Sequence, residues 1–96
     1  MPHYFLKLNP RRTTFAQDMT DEEKAIMQQH VAYWGGLMSK GVVVVYGPVM
    51  DPKGVYGMGV VEAEDEEQLQ ELIRNDPATS INDYEYYPMR AVIPAK

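Results

Sequence analysis

The stretch "HVAYWGGLMSKGVVVVYGPV", residues 30–49, passes from a helical pattern into a β-branched run within a few residues. Gly41 separates the two parts, and a glycine after Lys40 fits the left-handed position that commonly follows a helix. The run over residues 42–49 lacks polar alternation, which is typical of a strand covered on both faces. This stretch therefore predicts a helix that leads directly into a buried strand.

The start of that helix is marked by the sequence "TDEE". Thr20 is in position to cap it, with Glu23 reaching back to the Thr20 backbone in a capping box. Carboxylates in the first turn also favour a helix N-terminus. We therefore predict a helix from Asp21 to Lys40, about 30 Å long. Its inward stripe contains Ile26, His30, Tyr33 or Trp34, and Leu37.

The remaining elements follow from alternation, turn residues and helical spacing. They are a strand over 3–8, a hairpin over 42–62 that turns at "MDPKG", a helix over 66–75 and a strand over 84–93. Asp65 caps the second helix, and Pro77 ends it because the residue before a proline avoids the α region. Pro88 indicates an edge or a bulge in the last strand.

The element order is β-α-β-β-α-β, the ferredoxin-like motif of the α+β class. It predicts one domain over residues 1–96, with a four-stranded antiparallel sheet and two helices on one face. Because the four valines that begin at Val42 call for cover on the other face, we expect a homodimer formed through that sheet face.

Composition and charge narrow the function classes. The chain has 14 acidic against 9 basic residues and a net charge of -5, which disfavours binding to nucleic acid. It contains no cysteine, and no spacing typical of a metal site or a phosphate-binding loop. Because no apolar run approaches the ~18 residues of a membrane span, we expect a cytoplasmic protein with no membrane partner.

Three stretches together, "MTDEEKAIMQQHVAYWGGL", "VVVVYGPV" and "NDPA", resemble the YCII-related proteins, small domains of the dimeric α+β barrel type. The resemblance implies a fold similar to that of muconolactone isomerases and small cofactor-free monooxygenases. It further implies that one relative is a dehydrochlorinase acting on chlorinated hydroxyquinols. The catalytic centre proposed for the family is a His-Asp pair, and the matching residues here are His30 and Asp76.

The predicted topology allows these two residues to meet. The helices run antiparallel, so His30, about 15 Å before Lys40, and Asp76, about 16 Å after Asp65, arrive at the same height. A carboxylate would fix the imidazole tautomer and leave the other ring nitrogen as a general base or acid. In the alternative interpretation, His30 hydrogen-bonds a backbone carbonyl and Asp76 only initiates a turn.

Five further residues are candidates for substrate binding: Tyr33, Trp34, Gly47, Pro48 and Arg12. The two aromatic residues would form pocket wall or plain core, and Gly47 with Pro48 would open a pocket mouth or form a bulge. Arg12 would clamp an anionic substrate or remain solvated. The pair Gly35 and Gly36 predicts a close approach of the helix to the sheet or a ligand.

The resulting hypothesis is an enzyme that needs no cofactor and no metal. In it, His30 and Asp76 perform acid-base chemistry of the isomerase, dehydrochlorinase or lyase type on a small cyclic or aromatic carbonyl compound. The alternatives are a non-catalytic small-molecule-binding or regulatory domain, and an assembly module without a ligand. The expected partners are a second copy of the chain and a small molecule.

Overall fold

The computed structural model describes residues 2–94. Its strands are β1 (His3–Pro10), β2 (Val43–Val49), β3 (Tyr56–Glu62) and β4 (Asn82–Met89). Its helices are α1 (Phe15–Asp18), α2 (Asp21–Ser39) and α3 (Glu66–Arg74), followed by a 3₁₀ turn over Pro77–Ser80. Within the described part of the chain, no helix combines the length and apolar composition that a membrane span requires.

The four strands form one antiparallel sheet in the order β2-β3-β1-β4. This order is that of the ferredoxin-like α+β fold, so the predicted fold class is confirmed. Alternation along β1 places Tyr4, Leu6 and Leu8 in the core. They face the helices, since the core also contains Trp34 of α2 and Leu69 of α3.

The predicted helix ends are present. Thr20 and Glu23 form the full capping box at the start of α2. Gly41, at φ 80°, takes the left-handed conformation just after this helix, where a side chain would be strained. At α3, the Asp65 side chain accepts a hydrogen bond from the backbone of Gln68.

The last strand differs from the prediction, because β4 covers Asn82–Met89 instead of residues 84–93. Its bounds are set by its neighbour β1: Pro10 pairs with Asn82, and His3 pairs with Met89. Beyond Met89 the strand has no further partner residues in β1. The prediction for Pro88 is confirmed, since β4 lies at an edge of the sheet.

Two other features were not foreseen. The segment before α2 contains the four-residue helix α1, which no sequence pattern predicted. In the valine run, Val43 is buried, but Val44 and Val45 are 37% and 46% exposed in the single chain. The register shifts between Val43 and Val45, so this run does not alternate regularly.

Close approach of helix and sheet occurs at Gly59 of β3. A Cβ atom there would lie 2.7 Å from the Trp34 ring, whereas one at Gly36 would meet nothing within 4 Å. We expect Gly59→Ala to lower the free energy of unfolding by about 1–3 kcal/mol through overpacking. Gly36→Ala, in an exposed helix interior, should raise it by about 0.5–1 kcal/mol.

Urea denaturation of both variants tests this expectation. Equal stabilities for the two alanine variants would contradict the close packing of Trp34 on Gly59.

Candidate active site

The Asp76 carboxylate lies at the centre of a buried cluster of polar groups. Asp76 is 1% exposed and caps the 3₁₀ turn, with Oδ1 accepting from the Ala78 backbone N–H at 2.9 Å. His30 Nδ1 lies 2.8 Å from Oδ2, and Trp34 Nε1 donates to the same oxygen at 2.8 Å. The Tyr84 hydroxyl also donates to Oδ2. Four donors from α2, β4 and the turn therefore converge on one carboxylate.

This arrangement fixes the imidazole tautomer. An ionised carboxylate has only acceptor sites, about four in all, so each of its partners must donate. Nδ1 of His30 therefore carries a proton. In the neutral imidazole, Nε2 is then the unprotonated nitrogen and is available as a base.

Burial and hydrogen bonding act in opposite directions on the pKa of Asp76. Burial raises it, but hydrogen bonds from His30, Tyr84, Ala78 and Trp34 together outweigh burial, so the pKa lies below its ordinary value. Burial is also the main reason that the pKa of the Tyr84 phenol is raised, followed by its hydrogen bond to Asp76. The cluster therefore contains an ionised carboxylate and a protonated phenol at neutral pH.

The low pKa of Asp76 predicts how stability depends on acid. Because its pKa is lower in the folded than in the unfolded chain, its contribution to stability is present above about pH 4 and is lost as the pH falls. The free energy of unfolding should therefore drop more steeply below about pH 4 in the wild type than in Asp76→Asn. Urea denaturation at a series of pH values measures the two slopes, and equal slopes would contradict an ionised Asp76.

His30 is at the wall of a cavity of about 250 Å³ between the sheet, α1 and α2. Most of its lining is apolar, and the lining residues that carry a polar side chain are His30, Tyr46, Tyr56, Asn82 and Tyr84. Since an apolar cavity of about 150 Å³ can hold benzene, this one has room for a single substituted ring. Among residues 2–94, no group of three or more His, Asp or Glu side chains converges to hold a metal ion.

A family model of the YCII-related domain matches residues 5–93. The chain belongs to the YCII-related family. Among solved structures, it is similar to 5-chloro-2-hydroxyhydroquinone dehydrochlorinase from Burkholderia phenoliruptrix in complex with 2,5-dihydroxybenzoquinone. The TM-score is 0.66 at 22% identity, over 91% of this chain and 93% of that chain, which establishes a shared fold. No curated protein matches the sequence.

Four of the candidate residues line the cavity of this YCII-related chain: His30, Trp34, Gly47 and Pro48. Trp34 has two roles, because its ring forms cavity wall while its Nε1 donates to Asp76. Asp76 does not line the cavity itself. It lies behind the wall, where it accepts hydrogen bonds from lining residues such as His30 and Trp34. The structure therefore brings His30 and Asp76 together at the edge of the cavity.

Tyr33 and Arg12 are not among the residues that line the cavity. The Tyr33 hydroxyl donates to the Leu72 carbonyl at 2.7 Å and so joins α2 to α3. The Arg12 guanidinium donates to both Glu23 oxygens and to Asp18. Hydrogen bonds from Arg12 and from the Thr20 backbone lower the pKa of Glu23 to about 2. The Arg12 donors are thus engaged by carboxylates within the protein, and its position differs from that of the expected substrate clamp.

Sequence reasoning missed several residues of the site. Tyr84 could have been noted, since alternation in "YEYY" places it on the helix-facing side of the sheet. Phe15, the one aromatic residue of the segment between β1 and α2, lines the cavity from α1. Tyr46 follows the valine run, whose pattern predicts only a buried strand. Asn82 lies at the wall, where Nδ2 donates to the Ala78 carbonyl at 3.1 Å.

Proposed function

We propose that the chain is an enzyme in which His30, oriented by Asp76, transfers protons on a small cyclic or aromatic carbonyl compound bound in the cavity. One observation carries this proposal: an imidazole at the wall of an apolar cavity has its Nδ1 engaged by a fully coordinated, buried carboxylate. That arrangement leaves Nε2 as the reactive nitrogen. Proton transfer of this kind needs no cofactor.

The reaction follows from the position of the base. Nε2 of His30 takes a proton from a carbon next to the carbonyl, and the C–H electron pair remains on the substrate as an enolate. Asp76 stabilises the imidazolium that forms. The imidazolium can return the proton to a different carbon, which is an isomerisation. Alternatively, the enolate electron pair expels a leaving group such as chloride together with its bonding electrons, which is an elimination.

The substrate class follows from the size and character of the cavity. A volume of about 250 Å³ with a largely apolar wall suits one ring with a few polar substituents. The structural neighbour acts on 5-chloro-2-hydroxyhydroquinone, a ring of this size. We therefore propose chlorinated or hydroxylated single-ring compounds as the first substrates to test.

The test uses proton exchange as well as turnover. Wild-type protein is incubated in heavy water with cyclic ketones, hydroxyquinones and 5-chloro-2-hydroxyhydroquinone, while NMR follows C–H exchange and an electrode follows chloride. We expect protein-dependent exchange or chloride release with at least one ring. If ring compounds bind in the cavity but neither C–H exchange nor chloride release is observed, the proposed enzymatic activity is contradicted. The chain would then be a small-molecule-binding domain.

We also propose that the chain forms a homodimer through the sheet face opposite the helices. The residues Val45, Val60, Phe5 and Tyr87 pair across the four strands and form one continuous apolar row. Val45 and Tyr87 are 46% and 54% exposed in the single chain. Such a row is self-complementary, and a two-fold axis would let a second copy cover it.

Disruption of this row should produce monomers. We expect the wild type to run at twice the 11.0 kDa of one chain, and Tyr87→Glu at the mass of one chain. Met50→Glu is a matched control, because Met50 is exposed but lies outside the sheet. Size-exclusion chromatography with light scattering measures the masses. A monomeric wild type would contradict the proposed dimer.

A further inference from the structure

Most hydrogen-bond donors of the residues that line the cavity are engaged within the protein. The indole N–H of Trp34 and the hydroxyl of Tyr84 both donate to Asp76. The amide of Asn82 donates to Ala78. In contrast, no hydrogen bond joins the hydroxyl groups of Tyr46 or Tyr56 to any residue of the described range 2–94. These two phenols are therefore the candidates to donate to a ligand.

Their positions distinguish the two tyrosines. Tyr46 pairs with Gly59 across β2 and β3, and its ring lies 5.9 Å from that of Trp34, centroid to centroid. Trp34 is in turn 5.9 Å from His30, so Tyr46 is on the His30 side of the sheet. Tyr56 instead packs its ring under the Lys7 ammonium, 4.5 Å away, and Lys7 is on the opposite face by alternation.

The glycine pair in α2, Gly35 and Gly36, helps to locate the Tyr46 hydroxyl. A Cβ atom at Gly35 would lie 3.7 Å from the Tyr46 oxygen, which is ordinary contact, and at Gly36 it would meet nothing. The Tyr46 oxygen therefore lies beside the helix backbone at Gly35. The packing of its ring against Trp34 holds it in place, and no hydrogen bond within residues 2–94 engages its proton.

We propose that Tyr46 is a catalytic residue that donates a hydrogen bond to the carbonyl oxygen of the substrate. This inference rests on the proposed function, because it assigns the second half of the same proton transfer. His30 Nε2 accepts the proton, and the Tyr46 O–H stabilises the negative charge that develops on the enolate oxygen. The ligand must then present a transferable proton toward His30 and an acceptor oxygen toward Tyr46. Ring compounds bearing both a carbonyl and a hydroxyl group meet this requirement.

The experiment uses the meta and para isomers of hydroxybenzaldehyde, with the matching ethylphenols as ligands that lack the carbonyl oxygen. Infrared spectroscopy of the ¹³C-labelled carbonyl reports its hydrogen bond directly, and NMR titration gives the affinities. For wild-type protein we expect a carbonyl stretch at lower frequency than in an apolar solvent. In Tyr46→Phe this shift should disappear and the aldehyde affinity should fall about 3- to 10-fold, with ethylphenol affinity unchanged.

Tyr86→Phe is the matched control, because Tyr86 faces the same side of the sheet but accepts a hydrogen bond from Gln70 outside the cavity. It should leave both readouts unchanged. Once a substrate is known, Tyr46→Phe should lower kcat/KM about 10²-fold. An identical carbonyl frequency in wild type and Tyr46→Phe, or no binding of either aldehyde at millimolar concentration, would overturn the proposal.

The same data separate the two proposals. If the carbonyl shift depends on Tyr46 but C–H exchange does not depend on His30, the proposed acid-base function fails and the Tyr46 contact stands. If C–H exchange depends on His30 but the carbonyl frequency is the same in wild type and Tyr46→Phe, only the proposed role of Tyr46 is contradicted.

Discussion

Asp76→Asn is expected to lower the free energy of unfolding by about 3 kcal/mol or more. Four donors converge on the carboxylate: His30, Trp34, Tyr84 and the Ala78 backbone N–H. An amide keeps one acceptor oxygen but replaces the other with an NH₂ group, which is itself a donor. Each buried donor left without an acceptor costs about 1–3 kcal/mol. With a total stability of about 5–15 kcal/mol for a domain of this kind, the loss is large.

Asp83→Asn is the matched control for this measurement. The Asp83 side chain is 69% exposed and pairs with Arg11 at 3.4 Å, an ion pair that contributes about 1 kcal/mol or less. Urea denaturation of the two variants should therefore separate them clearly. An Asp76→Asn protein within 1 kcal/mol of wild type, roughly the size of one net hydrogen bond, would contradict the view that the carboxylate organises the site.

His30→Gln should abolish most of the proton transfer while leaving the fold intact. The glutamine amide can still donate to Asp76, but it has no basic nitrogen to accept a proton from substrate. General base catalysis contributes about 10²- to 10⁴-fold in rate, so exchange or turnover should fall by at least about 10²-fold. The measurement is the rate of C–H exchange in heavy water, with the same ring compound for both proteins.

His3→Gln provides the control, because His3 is the other histidine of the sequence and lies on the opposite face of the sheet. Its exchange rate should equal that of wild type. Circular dichroism and ligand titration on His30→Gln verify folding and binding. If His30→Gln folds, binds the ring and still exchanges at the wild-type rate, His30 is not the base.

The fold was largely predictable because its signals are local. The capping box at Thr20, the left-handed Gly41 and the alternation of β1 each depend on a few neighbouring residues, and each is present. The end of β4 was not predictable in this way. It depends on where β1 begins, because Met89 pairs with His3, and this is a property of strand pairing and not of the residues after Met89. Helix α1 also depends on residues outside its own segment. Arg12, which precedes it, pairs with Glu23 of α2.

The site was predictable in part for the same physical reason. Helix length and topology predict that His30 and Asp76 lie at the same level along the two antiparallel helices. The structure places the two side chains in contact. The lateral packing that brings Trp34 and Tyr84 to the same carboxylate depends on side-chain contacts across three elements. Helical spacing in the sequence does not predict such contacts between elements. For this reason the sequence does not distinguish Tyr33 from Trp34, although the Tyr33 hydroxyl donates to the Leu72 carbonyl of α3 instead.

The tautomer of His30 tests the proposed role of the His30–Asp76 pair most directly. In protein labelled with ¹⁵N-histidine, long-range ¹H–¹⁵N spectra at a pH where the imidazole is neutral report which ring nitrogen carries the proton. Because the chain has two histidines, His3→Gln assigns the signals. We predict a protonated Nδ1 and an unprotonated Nε2 for His30. A proton on Nε2 with a bare Nδ1 would contradict both the hydrogen bond to an ionised Asp76 and the proposed base.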